Sequence, residues 1–540
     1  MAALRQRIQH VIYIIKENRT YDQVLGDLPV GNGDPSDTEW GEAVTPNLHA
    51  LASQFVDLDN FYDTSEVSMD GWPWSTSAHA IDTVERQTPI NYAARCVSYF
   101  PPADCSGFPG PLTYDSEGSN RNVNVGVATL QGREADLPLM AYPPYNDPDL
   151  LPGANNAAGP DGPDGQEGAG FLWDAALRAG KTVRDHGMFI DEVRYQLAPF
   201  GPPISYFQIP VLRYPFAPTQ APYDQVVIDP LTGMPFGQTQ VAYSTSPSLQ
   251  NHTDPYFRGF DQNMADLYLY QEWARDVDAD GLANLDLIRL PHDHTGSFST
   301  ALDGVNTPEL QTADNDYAVG LVAQKIASSP AYRDNTLIFV IEDDSQAGVD
   351  HVDSHRSIAF VVGPYVKKSK VISEHYTTLS MYRTMEDVLG IGHSNLNDAL
   401  ANPMTAVFDL NQDLTKNPFT FTATPSSYLY GTTLIGLPPM KAGLRIPRST
   451  HDATYWSKVT AGMDFSKEDD FDFARYNHIL WEGLMGSKPY PSRPSGLDLR
   501  ANREELLRRF HANLDKRTDQ ATPAKQTVRR SRINHTKSGI

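Results

Sequence analysis

The segment HVIYIIKEN, which spans residues 10–18, gives the strongest indication of the fold of this chain. Its first part, residues 10–15, is short, apolar and rich in β-branched side chains, which predicts a strand buried on both faces of a sheet. The segment then changes abruptly to Lys16, Glu17 and Asn18. The predicted strand therefore ends in polar side chains.

Two further apolar segments have the same character. Residues 336–341 (TLIFVI) precede three consecutive acids, and residues 357–362 (SIAFVV) stop at a Gly-Pro pair. Helical patterns lie around them, including residues 316–328 and 379–389. Strands alternating with helices predict an α/β fold with a mostly parallel central sheet sandwiched by helices. Ligands of such sheets bind beyond the carboxyl ends of the strands, where carboxylates stand at two of the predicted ends.

The composition limits the kinds of partner. The chain has 540 residues, of which 40% are hydrophobic, and a formal net charge of −24 from 67 acidic and 43 basic residues. This acidic balance argues against a nucleic-acid backbone as the main partner. A phosphate ester can still bind where a metal ion supplies local positive charge.

The sequence contains no predicted membrane span, because no apolar segment approaches about 18 residues. Residues 1–10 are mixed and charged and lack the apolar stretch of a signal peptide. We therefore expect a cytoplasmic protein, or a secreted or periplasmic one if a leader is missing from this sequence. Cys96 and Cys105 could close a short disulfide loop or remain free thiols, and the oligomeric state is open.

The chain is predicted to have three parts. A catalytic domain covers residues 8–410, with insertions at about 85–170 and 195–260 that are rich in Pro, Gly, Asn and Tyr and are expected to form a cap. Residues 411–498 form an extension that packs on the core, with a helix over 463–484. Residues 499–540 are polar and basic, which predicts a flexible tail.

Acidic side chains follow two of the predicted strands. Glu17 could bind a divalent cation, and the adjacent Asn18 could donate hydrogen bonds to a phosphate oxygen; the alternative is a polar turn with a helix cap. Asp343 and Asp344 belong to three consecutive acids after an apolar segment, which are costly unless a cation or solvent compensates them. Alternatively, these acids could lie in an exposed surface turn.

Histidines and acids recur close to these positions. Residues 350–355 (DHVDSH) follow the acid pair within about a dozen residues, and residues 292–294 (HDH) follow another apolar stretch. Histidine and aspartate at these spacings suit a mixed nitrogen and oxygen site for a divalent metal. Any single histidine here would more often be structural.

Ser68 is the candidate nucleophile among several hydroxyls in residues 61–71. It precedes a predicted helix through residues 75–84, whose N-terminus would supply oriented N–H groups and partial positive charge for an alkoxide or a phosphate. Taken in isolation, Ser68 would be read as an N-cap.

These clusters, in this order, resemble a known family. The matching segments are IKENRTYD (15–22), DNFY (59–62), VSMDG (67–71), LPHDHT (290–295) and residues 340–356. They are similar to the phosphoesterase family of bacterial acid phosphatases and phospholipases C, within the alkaline-phosphatase-like superfamily. The resemblance covers about residues 8–410 and implies an alkaline-phosphatase-like fold.

The resemblance also implies roles for individual residues. Glu17, Asn18, Asp343 and Asp344 would hold the metal, with Ser68 as both nucleophile and ligand. Asn18 would also hold phosphate oxygens, and the two histidines that would face the phosphate or leaving group are His294 and His351.

The number and identity of the metal ions remain open. The carboxylate-rich set fits one ion, and Asp293, His351 and His355 could complete a second site, with Zn²⁺, Mn²⁺ and Ca²⁺ as candidates. The chain departs from the family at two positions, with Trp72 where histidine is often found and His292 where asparagine is usual.

The predicted function is metal-dependent hydrolysis of phosphate monoesters through a phosphoseryl intermediate. One alternative is a phospholipase C-type phosphodiesterase acting on a phospholipid headgroup, with the aromatic segment 206–223 as an apolar rim. Another is a catalytically silent metal-binding protein. A sulfatase is disfavoured because no C/S-x-P-x-R motif surrounds Ser68.

Overall fold

The computed structural model describes residues 1–80, 170–189, 246, 248–249, 251–254, 257–463, 465 and 471–491. The chain divides into two compact units, Met1–Pro489 and Tyr490–Ile540. The two cysteines, segment 206–223, most of the two predicted insertions and the predicted tail lie outside the described residues.

A five-stranded sheet with the strand order β4-β5-β1-β6-β7 forms the centre of this unit. β1 runs parallel to both β5 and β6, and β4 runs parallel to β5. Two-stranded ladders join β2 to β8 and β3 to β9. The strand bounds are β1 His10–Lys16, β2 Val56–Asp57, β3 Phe61–Tyr62, β4 Val183–His186, β5 Leu285–Arg289, β6 Thr336–Glu342, β7 Ala359–Val362, β8 Lys370–Val371 and β9 Tyr376–Thr377.

Helices flank the sheet, and the predicted α/β class with a mostly parallel sheet is confirmed. None of the described helices combines the length and apolar character needed to cross a lipid bilayer. The helix bounds are α1 Ala2–Arg5, α2 Tyr21–Leu25, α3 Pro46–Gln54, α4 Ser68–Ser77, α5 Leu172–Arg178, α6 Asp266–Asp280, α7 Pro308–Ser328, α8 Thr378–Leu389, α9 Leu396–Leu400, α10 Ala453–Val459 and α11 Phe473–Met485. Short 3-10 turns cover His292–His294, Leu302–Gly304, Thr405–Val407 and Ser427–Gly431.

Strand β7 is the antiparallel exception in the sheet. It pairs with β6 and begins at Ala359, two residues later than the sequence pattern predicts. Ser357 is held elsewhere, since its amide donates to the Phe61 carbonyl at 3.1 Å and its hydroxyl to the Arg19 carbonyl at 2.7 Å. After β7 the chain turns at Gly363, whose φ of 140° and close approach to the Thr336 carbonyl leave no room for a Cβ atom.

The long helix α7 holds two other helices by their N-termini. In its buried middle, Asp314 accepts hydrogen bonds from the first two backbone N–H groups of α6 at 2.6 and 3.2 Å. Asp316 accepts from the backbone N–H groups of the second and third residues of α3 at 3.0 and 2.7 Å. Neither α3 nor α6 has a side-chain cap of its own, so α7 supplies the missing acceptors.

Candidate active site

Three neighbouring parallel strands end at the same edge of the sheet. The register pairs Lys16 of β1 with Glu342 of β6, and Ile15 of β1 with Arg289 of β5. The segments that follow these strands carry most of the predicted site residues. Their common edge explains why residues far apart in sequence meet here.

Ser68 contacts the acid pair directly. Its Oγ donates to Asp344 Oδ2 at 2.9 Å, and both side chains are fully buried. With its amide nitrogen turned towards the acids, Asn18 donates to Asp344 Oδ2 at 3.0 Å and to Asp343 Oδ1 at 2.9 Å, while its oxygen accepts from Gln346 Nε2 at 3.0 Å. The structure therefore brings together the predicted nucleophile, the predicted acid pair and Asn18.

Helix α4 presents Ser68 through an unusually close approach to the end of β6. A Cβ atom at Gly71 would lie 2.6 Å from the Asp343 carbonyl oxygen, so this contact requires glycine. The N-cap of α4 is Val67, with no side-chain cap, and Ser68 is the first helical residue. The N-cap interpretation of Ser68 is thus wrong, and the helix ends at Ser77, earlier than predicted.

The chain leaves β1 through a strained turn at Asn18. Its φ of 71° lies in the left-handed region, which asparagine tolerates better than most residues. Two residues later, Thr20 caps α2 by accepting from the Gln23 amide, and the Gln23 side chain accepts from the Thr20 amide. The predicted turn with a helix cap is therefore also present, and it aims Asn18 at the acids.

A buried arginine holds Glu17. Arg289 donates to Glu17 Oε1 from Nη2 at 2.7 Å and from Nε at 3.0 Å. The guanidinium carbon lies 4.6 Å from the ring centre of Trp72 and 5.1 Å from that of Phe260. Sequence reasoning missed Arg289, although a charged residue ending a buried segment was a usable signal.

A buried lysine joins two further acids. Lys16 Nζ lies 2.6 Å from Asp293 Oδ2 and 2.7 Å from Glu342 Oε1. Burial lowers the pKa of Lys16, but the two carboxylates outweigh it and raise the pKa above its ordinary value. Asp293, a predicted metal ligand, also accepts from the Glu17 backbone amide at 3.1 Å.

The acid pair has the electrostatics of a cation site. Burial raises the pKa of Asp343 well above its usual range, and the nearby charges of Asp344 and Glu17 raise it further. Within the described residues, Asp343 Oδ2 is buried without a hydrogen-bond partner. Carboxylate and hydroxyl oxygens suit a hard or borderline divalent ion, so Asp343, Asp344 and Ser68 fit the predicted metal.

The predicted histidine His294 lies in an aromatic pocket. It is fully buried, with its ring edge-on to Phe260 at 5.0 Å and to Phe471 at 5.5 Å between ring centres. His292, two residues earlier, pairs through Nδ1 with Asp314 Oδ2 at 2.7 Å. The structure thus links this segment to α7.

His351 and His355 pair with other acids. His351 Nδ1 lies 2.5 Å from Asp22 Oδ2, and His355 Nδ1 lies 2.9 Å from Asp353 Oδ1. The two side chains are 31% and 39% exposed, in contrast to the buried strand-end cluster. Within the described residues, neither histidine hydrogen-bonds to the acids at the strand ends.

Three other groups of described residues bring three acidic or histidine donor atoms within 4.8 Å of one another. The strand-end acids are not among them, and Glu17 contacts Arg289 in this structure. The three groups are Asp22–Asp350–His351, His186–Asp254–Asp276 and Glu386–His393–Asp398.

Comparisons with known proteins give only distant likenesses. No protein-family model and no curated protein sequence matches this chain. A protein in the alkaline phosphatase superfamily from Vibrio parahaemolyticus has 12% identity and a TM-score of 0.34, over 71% of this chain and 67% of that one. A phosphonate monoester hydrolase from Silicibacter pomeroyi has 13% identity and a TM-score of 0.32, over 75% and 78%. A lipoteichoic acid synthase from Listeria monocytogenes has 10% identity and a TM-score of 0.35, over 73% and 75%.

Proposed function

We propose that this chain is a metal-dependent hydrolase of phosphate monoesters that works through a phosphoseryl intermediate. The observation that supports it best is the contact of Ser68 Oγ with Asp344 Oδ2 at 2.9 Å, at the N-terminus of α4. Asn18, which follows β1, donates hydrogen bonds to both members of the same acid pair. A serine hydroxyl on a buried carboxylate at a helix N-terminus is suited to nucleophilic attack on phosphorus.

The residues that would hold the ion are Glu17, Asp343, Asp344 and the Ser68 hydroxyl. Asn18 would join them through its oxygen, which here accepts from Gln346 Nε2, only after its amide turns over. When bound, a divalent ion would lower the pKa of the serine hydroxyl and offset the charge of the phosphate. Adding Zn²⁺, Mn²⁺ or Ca²⁺ separately to chelated protein would identify which ion supports activity.

The chain's own groups account for the remaining chemistry. Ser68 Oγ forms a bond to phosphorus while its proton passes towards Asp344, and the bond from phosphorus to the alcohol oxygen breaks. The Asn18 amide and the first N–H groups of α4 donate to phosphoryl oxygens. His294 gives a proton to the departing alcohol. Water then attacks phosphorus and gives a proton to His294, while the phosphorus–Oγ bond breaks and Oγ takes its proton back from Asp344, which restores the serine.

The decisive variant is Ser68→Ala, tested on p-nitrophenyl phosphate after addition of Zn²⁺, Mn²⁺ or Ca²⁺ to chelated protein. We expect kcat to fall by more than about 10³-fold, because removing even one preorganised donor costs about that much. Acid quenching of the unaltered protein with labelled substrate should leave phosphate on Ser68.

The matched control is Ser75→Ala in the same helix. The Ser75 hydroxyl donates to the Trp72 carbonyl at 3.1 Å and contacts no acid, so its loss should leave kcat within about threefold. Undiminished turnover by Ser68→Ala would refute the assignment. Faster turnover of p-nitrophenylphosphorylcholine than of the monoester would favour the phospholipase C-type diesterase, and metal binding without any turnover would favour a silent binding protein.

A further inference from the structure

Arg289 is a charged side chain that is almost completely buried. It is the last residue of β5 and is 1% exposed. Both of its hydrogen bonds to Glu17 end on Oε1, at 2.7 and 3.0 Å, so the guanidinium restricts the rotation of that carboxylate. Glu17 is one of the proposed metal ligands.

The same guanidinium packs against the nucleophile helix. Trp72, whose ring centre lies 4.6 Å from the guanidinium carbon, stands four residues after Ser68 in α4. Residues with this spacing share one side of a helix, so Trp72 and Ser68 lie one above the other. The indole is fully buried, and the position of its ring is therefore tied to the position of α4.

A second ring extends the contact towards the histidine. Phe260 lies 5.1 Å from the Arg289 guanidinium carbon, and its ring centre lies 5.0 Å from that of His294. One planar cation thus contacts the carboxylate of Glu17 and two aromatic side chains. A lysine could not reproduce this arrangement, because its ammonium is a point charge without a flat face.

We infer that Arg289 is a positioning residue for the reaction: it sets the Glu17 carboxylate, helix α4 through Trp72 and His294 through Phe260 in fixed relation. This inference rests on the proposed function. Arg289 acts through its neighbours and does not itself bind the phosphoryl group.

The test compares Arg289→Lys with Arg184→Lys. Arg184, on the adjacent strand β4, pairs with both oxygens of Asp276 at 2.8 and 2.7 Å and contacts none of the proposed reacting groups. Far-UV circular dichroism and thermal unfolding establish that each variant is folded. Calorimetry of metal-free protein with Mn²⁺ alone then measures metal affinity without reference to turnover.

For Arg289→Lys we expect Mn²⁺ affinity and kcat each to fall by about 10–100-fold, which is the usual cost of losing a group that orients a metal ligand. The KM for p-nitrophenyl phosphate should change by less than about threefold, because Arg289 does not contact substrate. Arg184→Lys should keep unaltered affinity and kcat. Trp72→Phe, which retains a ring against the guanidinium, should keep more activity than Trp72→Ala.

Several results would overturn the inference. Unchanged Mn²⁺ affinity and kcat in folded Arg289→Lys would remove the positioning role, and an effect confined to KM would make Arg289 a substrate-binding group. If Arg289→Lys does not fold, Trp72→Ala must show the loss of kcat at constant KM. Failure of the proposed function is separate, since it appears as turnover by Ser68→Ala whatever Arg289 does. A wild-type protein that binds no Mn²⁺ would overturn both.

Discussion

Two buried cations end adjacent strands at the site, and both pair with carboxylates. Lys16 lies between Asp293 and Glu342, and Arg289 lies on Glu17. Because the ammonium already neutralises Asp293, we propose a single metal ion per chain, held on the side of Asp343 and Asp344. An occupancy near two ions in purified protein would contradict this.

Lys16→Met tests how much the buried ammonium contributes to the free energy of unfolding. The variant leaves two buried carboxylates without their counter-charge, so we expect the free energy of unfolding to fall by about 3–5 kcal/mol in urea titrations. The control is Lys325→Met, which breaks a pair with the 74% exposed Asp278 and should cost less than about 1 kcal/mol. Equal effects of the two substitutions would show that burial of the Lys16 pair is unimportant.

Among the secondary-structure elements, α4 lies against the residues that follow β6, and Gly71 makes the closest approach. Gly71→Ala places a Cβ atom 2.6 Å from the Asp343 carbonyl and must move α4 away from β6. We expect a loss of about 10²-fold in kcat, because displacements of about 1 Å from the reacting geometry have that effect.

Gly392→Ala is the matched control for that substitution. A Cβ atom at Gly392 meets nothing within 4 Å, so activity should be unchanged. Wild-type kcat in Gly71→Ala would mean that the helix tolerates the shift and that the closeness of α4 and β6 has no catalytic importance.

The sequence predicted β1 and β6 because their apolar runs are continuous, and it placed Glu17, Asp343 and Asp344 correctly at the strand ends. It did not predict β5 (LDLIR), which carries charged residues in the middle of the sheet. Asp286 is tolerated there because Trp273 in the preceding helix α6 donates to it at 2.9 Å and His186 of β4 lies 3.3 Å from it, contacts that local patterns do not contain. The apolar pattern of β7 predicts a strand but does not indicate its direction. The antiparallel direction is seen only in its pairing with β6.

At the scale of the whole molecule, stability is linked to pH through a buried histidine. His186 at the end of β4 lies 3.0 Å from Asp276 Oδ2 and 3.3 Å from Asp286 Oδ1. Burial lowers the pKa of His186, but these carboxylates outweigh it and raise the pKa to about 10.

A raised pKa in the folded state means that the protonated histidine favours folding. Its contribution is complete below the ordinary pKa of 6.5 and is lost as the pH rises through about 10. Denaturant titrations should therefore show the unfolding free energy decreasing across this window, with a smaller decrease in His186→Gln. Parallel pH profiles for the two proteins would show that His186 is not the group responsible.

The three polar residues in the middle of α7 place a constraint on chain length. Successive residues of a helix point about 100° apart. Asp314 and Asn315 both contact α6 and the segment after β5, and Asp316 contacts α3. One inserted residue between Thr307 and Asp314 would rotate all three side chains by about 100° around the helix axis and break these contacts. The number of residues between the start of this helix and Asp314 is therefore fixed by these contacts.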